Sequence, residues 1–117
     1  MAGEKILIVD DEKDIQDLIK SYVLREGFIP ICAENGSSAL EKIANDKPDL
    51  IILDFMLPDI EGPELCLSIR QKTNVPVLFL SCRSEEIDKI VSLSSGGDDY
   101  ITKPFLPGEL IARIKAN

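Results

Sequence analysis

The apolar residues Leu50-Ile51-Ile52-Leu53 run into the acid Asp54 and then into the turn-rich stretch Phe55-Met56-Leu57-Pro58-Asp59-Ile60-Glu61-Gly62. A strand that is apolar on both faces must be covered on both, which is the pattern of a parallel sheet packed between layers of helices. Asp54 then stands at the carboxyl end of the strand, on the edge where open α/β sheets bind ligands. An acid there can also serve only to cap a turn. Capping alone does not explain why the other early apolar run, Lys5 to Val9, ends the same way in Asp10-Asp11-Glu12.

The rest of the chain supplies the layers. Ile15, Leu18, Ile19, Tyr22 and Val23 recur at helical spacing before Gly27. Phe28 to Ala33 reads as a second strand, and Pro30 within it suits an edge position. Asn35-Gly36 turns the chain, and Ser38 with Glu41 reads as a capping box for a helix carrying Ala39, Leu40, Ile43 and Ala44. Pro63 opens a third helix with Leu65, Cys66 and Ile69 inward. Val75 to Leu80 is the fourth strand, ending at Ser81. A fourth helix follows with Ile87, Ile90, Val91 and Leu93 inward, and Ser94-Ser95-Gly96-Gly97 weakens its end. Tyr100 to Thr102 is a short fifth strand before Lys103-Pro104, and Leu110, Ile111 and Ile114 mark a last helix. Right-handed crossovers between such units give a doubly wound α/β fold, a five-stranded parallel sheet in the order 2-1-3-4-5 with helices on both faces. Strands one and three are then neighbours, and Asp10, Asp11 and Asp54 converge at the switch point.

Composition narrows the chemistry. At 117 residues the chain is one domain, and its net charge of −8 disfavours direct contact with a nucleic-acid backbone. No apolar run reaches the ~20 residues of a membrane span and no secretory signal leads the chain, so a soluble cytoplasmic protein is expected. The absence of histidine removes Ser-His and Cys-His catalysis and the imidazole zinc ligand. Cys32, Cys66 and Cys82 lack metal-ligand spacing and are read as reduced thiols. Three carboxylates in one cleft repel one another and call for a bound cation, and oxygen-only ligands favour Mg2+ or Mn2+. Ser81 and Lys103 border the same cleft. A carboxylate, a metal, a hydroxyl and an ammonium are the parts that stabilise phosphoryl transfer.

In this order and at these strand ends, the motifs resemble the receiver domain of bacterial two-component response regulators. The matching residues are Asp10-Asp11, Asp54 with Met56-Leu57-Pro58-Asp59 and Gly62, Ser81, and Asp98-Asp99-Tyr100-Ile101-Thr102-Lys103-Pro104-Phe105. The resemblance covers essentially the whole chain and implies a flavodoxin-like fold and a phosphorylation-dependent signalling switch. On this resemblance Asp54 accepts a phosphoryl group from a phosphohistidine of a sensor histidine kinase. Asp11 and Asp54 coordinate Mg2+ directly, Asp10 does so through water, and the Met56 backbone carbonyl adds a ligand. Lys103 pairs with the phosphoryl oxygens, Ser81 hydrogen-bonds to one of them, Tyr100 follows Ser81 in the switch, and the Lys103–Pro104 peptide is cis. Ser81 stands where threonine is more usual, and Cys82 where alanine is common. The chain is then a phosphoacceptor that assists its own phosphorylation and dephosphorylation, not an enzyme acting on an external substrate.

The final stretch most resembles the receivers of winged-helix transcription regulators, which implies that residues 1–117 are the N-terminal regulatory part of a longer protein. In that subfamily the face of the fourth helix, fifth strand and last helix forms a homodimer on phosphorylation. The charges that would match across its two-fold axis are Lys89 with Glu109, Asp99 with Arg113, and Asp98 with Lys115. The alternatives are a free-standing receiver, a receiver-like interaction module, and a Mg2+-dependent phosphohydrolase with Asp54 as nucleophile. The hydrolase reading lacks the second acid two residues after the nucleophile, since that position is Met56.

Overall fold

β3 (Leu50–Asp54) is buried along its whole length, as a strand apolar on both faces must be. The structure is a computed structural model that describes residues 3–81, 90, 91 and 93–117. Around β3 the chain runs β1 (Lys5–Val9), α1 (Lys13–Arg25), β2 (Ile29–Ala33), α2 (Gly36–Asp46), then α3 (Gly62–Arg70), β4 (Val77–Ser81), β5 (Asp99–Thr102) and a C-terminal helix (Pro107–Ala116). The strands pair in parallel in the order β2-β1-β3-β4-β5, as expected from the sequence. Val9 sits opposite Leu53, and Ser81 opposite Thr102. The register therefore brings Asp10, Asp54, Ser81 and Lys103 to one edge.

Because side chains alternate along a strand, the sheet sorts its apolar residues into two layers. Leu7, Val9, Ile51, Leu53, Val77 and Phe79 pack with Ala39 and Ile43 of α2 and with Leu65, Cys66 and Ile69 of α3. Ile6, Ile8, Ile52, Leu78, Leu80 and Ile101 pack with Ile19 and Val23 of α1 and with Leu110 and Ile114 of the C-terminal helix. Each fully buried aliphatic side chain contributes about 1.5–3 kcal/mol of transfer free energy, so this two-sided burial drives the fold. Pro30 lies in β2 at the sheet edge, where its missing N–H is tolerated.

Local differences from the sequence reading are informative. The cap of α2 is Asn35, whose side chain accepts from the Ser38 N–H at 2.7 Å, so the helix starts earlier than a Ser38 capping box would allow. Residues 90, 91, 93 and 94 are helical, but Ile90, Val91 and Leu93 are exposed by 55, 42 and 48%, not turned inward. Among the described residues of this stretch Ser95 is buried, and its hydroxyl donates to the Val91 carbonyl at 2.7 Å. Ile87 lies outside the described residues.

Arg70, at the end of α3, fastens the opposite edge of the sheet. Its guanidinium donates to the carbonyls of Gly96 at 2.8 Å and Val75 at 2.6 Å, and pairs with Asp98 at 2.7 Å. Asp98 Oδ2 also accepts from the Val77 N–H at 2.9 Å. Gly96 has φ +101°, and a side chain there would press on the aliphatic part of Arg70. Among the described residues no helix is long and apolar enough to cross a membrane.

Candidate functional site

The carboxylates of Asp10, Asp11 and Asp54 each offer an oxygen, and these oxygens all lie within 4.8 Å of one another. Asp10 and Asp54 are buried, while Asp11 is exposed at the mouth. Asp10 is tied on every side: its N–H donates to the Ala33 carbonyl at 3.1 Å, Oδ1 accepts from the Glu12 N–H at 2.9 Å, and Oδ2 accepts from Lys103 Nζ at 3.1 Å. Lys103 Nζ also lies 3.8 Å from Asp54 Oδ2 and 3.6 Å from Glu12 Oε1. Its own N–H donates to the Ser81 carbonyl at 2.6 Å, and the peptide bond to Pro104 is cis.

Electrostatics follow from this crowding. Burial, and then the adjacent Asp10, push the Asp54 carboxyl up to about 7, against the opposing pull of Lys103 and the Met56 N–H. Burial works against the charge of Lys103, but Asp54, Asp10 and Glu12 outweigh it and hold the ammonium above its ordinary value. One ammonium thus faces four carboxylates, those of Asp10, Asp11, Glu12 and Asp54. A clustered, all-oxygen donor set with this excess of negative charge fits a hard divalent cation.

The loop after Asp54 is closely held. The Met56 N–H approaches Asp54 Oδ1 at 3.4 Å, Met56 bridges to Glu61, and the Gly62 N–H donates to the Phe55 carbonyl at 2.7 Å. A Cβ on Gly62 would stand 2.5 Å from the Asp54 carbonyl oxygen, so only glycine fits there. Asp59 accepts from the Gly36 N–H at 2.8 Å and the Ser37 N–H at 3.1 Å, which clasps the loop to the start of α2. Those donors hold the Asp59 carboxyl below its ordinary value. Cavities of about 290 and 510 Å³ open elsewhere, at the amino-terminal edge of the strands.

The structure brings together Asp10, Asp11, Asp54 and Lys103, with Met56 beside them and Ser81 buried at the neighbouring strand end. Tyr100 is buried in the layer that faces α2 and α3. Cys82 and Lys89 lie outside the described residues. The charges expected to match between two copies have partners within the chain. Arg113 pairs with Asp99 at 2.7 Å and Glu109 at 3.4 Å, Lys115 with Glu26 at 2.7 Å, and Asp98 with Arg70. The sequence reading missed Gln16, a buried polar residue on α1, and the bridging role of Asp59. The signal for Gln16 was its place on the buried stripe Gln16, Ile19 and Val23.

Comparison with known proteins agrees with this geometry. The family model of the response regulator receiver domain matches residues 6–115. A two-component response regulator from Clostridium difficile is 37% identical, with a TM-score of 0.94 over 97% of this chain and 93% of that one. The BeF3-activated N-terminal receiver domain of Klebsiella pneumoniae RstA is 34% identical, with a TM-score of 0.93 over 97% of each chain. A CheY-like receiver domain protein from Methanospirillum hungatei is 32% identical, with a TM-score of 0.91 over 98% of this chain and 93% of that one. The chain belongs to the response regulator receiver domain family. It is therefore a receiver domain of two-component signalling, a phosphorylation-dependent switch.

Proposed function

We propose that Asp54 is the phosphoacceptor, that Asp10, Asp11 and Asp54 with the Met56 carbonyl hold Mg2+, and that a sensor histidine kinase is the donor. The observation that carries this reading is the convergence of three carboxylates and Lys103 at one strand edge. An Asp54 oxygen attacks phosphorus, the bond from phosphorus to the donor's imidazole nitrogen breaks, and the nitrogen departs with the bonding pair. The attack requires the ionised carboxylate, which burial and Asp10 oppose. When bound, Mg2+ supplies positive charge that favours that ionised form and shields the incoming phosphoryl group. Lys103, already within 3.8 Å of Asp54, is placed to pair with the transferred oxygens. Ser81 presents a hydroxyl at the end of β4, and its movement would leave room for Tyr100 to turn.

In this reading the chain is a phosphoacceptor that assists its own chemistry and turns over no external substrate. The phosphorylated form dimerises through a face that includes residues 90, 91, 93 and 94, β5 and the C-terminal helix, and controls a transcriptional output domain. Exposed Ile90, Val91 and Leu93 support such a face. Incubation with Mg2+ and acetyl phosphate followed by intact-mass measurement tests the core of the proposal. A single phosphate adduct is expected, and it should vanish in Asp54→Asn and in excess chelator. An adduct that persists in Asp54→Asn would refute it.

A further inference from the structure

Gln16 is a buried polar residue at the head of the buried stripe of α1 that continues in Ile19 and Val23. Its side-chain nitrogen donates to the carbonyl oxygens of Asp10 at 2.6 Å and Ala33 at 3.1 Å, and the residue is only 7% exposed. Both partners are acceptors, so the amide nitrogen must face them, which fixes the orientation of the side chain. Since the Asp10 N–H also donates to the Ala33 carbonyl, the amide closes a ring that joins the ends of β1 and β2.

The Asp10 carbonyl belongs to the planar peptide unit that leads to Asp11. Holding its oxygen fixes that plane, and with it the direction in which the chain departs toward the Asp11 carboxylate. The Glu12 N–H and Lys103 hold the Asp10 carboxylate, and neither bonds the Asp10 carbonyl oxygen itself. Among the described residues, Gln16 is the side chain that bonds that oxygen.

We propose that Gln16 is a positioning residue for the divalent cation, which sets the Asp10–Asp11 peptide so that the exposed Asp11 carboxylate completes the ligand set. This rests on the cation-assisted phosphoacceptor reading above. Outer partners that orient ligands change metal affinity by about 10- to 100-fold when removed. Gln16 acts through a main-chain carbonyl and not on a ligand oxygen, so the low end of that range applies.

The test uses Gln16→Met, which keeps volume and removes both donors, and follows backbone amide resonances of the intact chain during Mg2+ titration. The Mg2+ dissociation constant should rise about tenfold, while labelling by acetyl phosphate at saturating Mg2+ stays within about twofold of the parent, as for loss of ground-state binding alone. A lower melting temperature with an unchanged dissociation constant would make the role purely structural and overturn the proposal. A measurement that needs no variant is the Gln16 side-chain amide signal of the parent, which should exchange slowly with water and shift as Mg2+ saturates. An unmoved signal overturns the proposal even if Gln16→Met fails to fold. Absence of saturable Mg2+ binding in the parent would remove the reading of the cleft itself. Equal binding by parent and Gln16→Met would remove only the role of Gln16.

Discussion

Burial and Asp10 raise the Asp54 carboxyl from an ordinary 3.8 to about 7, which makes this residue a conditional acid at physiological pH. The unfolded chain releases the Asp54 proton near the ordinary value, whereas the folded chain keeps it to about 7. The folded state therefore binds more protons in between, and stability falls as pH rises through that window and levels above it. Every tenfold gain in proton affinity on folding corresponds to about 1.4 kcal/mol. Asp54→Asn should accordingly raise the melting temperature at pH 8 by several degrees, with little gain at pH 4.5. An equal gain at both values in thermal melts would contradict the sign. Added Mg2+ should stabilise the parent at pH 8 and leave Asp54→Asn much less affected. Asp10, Asp11, Asp54, Ser81 and Lys103 were legible as a set, because each stands at or just past the end of a strand and the strand order brings those ends to one edge. Gln16, Asp59 and Arg70 were not, because their bonds span 17, 23 and 28 residues and exist only once the sheet has formed.

At the level of elements, the loop after β3 and the first turn of α2 form one unit. Two backbone donors of α2, from Gly36 and Ser37, end on Asp59, and a third, from Ser38, ends on Asn35. Unpaired donors at a helix start are left to water when a capping oxygen is removed. Asp59→Ala should lower the melting temperature by a few degrees and speed amide exchange at Gly36 and Ser37. Because its pKa is depressed, this contribution is present above the ordinary carboxylate value and is lost as pH falls below it through the depressed one. Undisturbed exchange at both amides in Asp59→Ala would show that the clasp does not form. The five strands and their order were readable because apolar runs, acids and prolines punctuate them. The start of α2 was not, because Asn35 and Ser38 are both good caps and only contact with Asp59 decides between them. Nor was the exposure of Ile90, Val91 and Leu93, since helical spacing tells which residues share a face but not what covers it.

For the whole molecule, the ion pairs of β5 and the C-terminal helix bear on assembly. Arg113, Asp99 and Glu109 already form a network within the chain, and Asn117 adds a bond to Asp99 at 3.2 Å. Dimerisation through this face would exchange pairs more than create them, and exposed pairs are each worth only ~0 to 1 kcal/mol. The apolar Ile90, Val91 and Leu93 would then supply affinity, and the charges register. The phosphorylated chain is expected to form a weak dimer that Arg113→Glu abolishes while labelling continues. Sedimentation of both forms decides the matter, since a dimer indifferent to Arg113→Glu would count against this face.

The fastening at Arg70 has a consequence for how the molecule divides its tasks. At the amino-terminal edge of β4 and β5, one guanidinium ties together the end of α3, the residue before Pro76 and the approach to β5. At the carboxyl edge, one ammonium is stretched among carboxylates that outnumber it. The sheet is thus anchored at one edge and left electrically unfinished at the other. The chain has a polarity along its strand direction, with permanence at one pole and susceptibility to a visiting ion or phosphoryl group at the other.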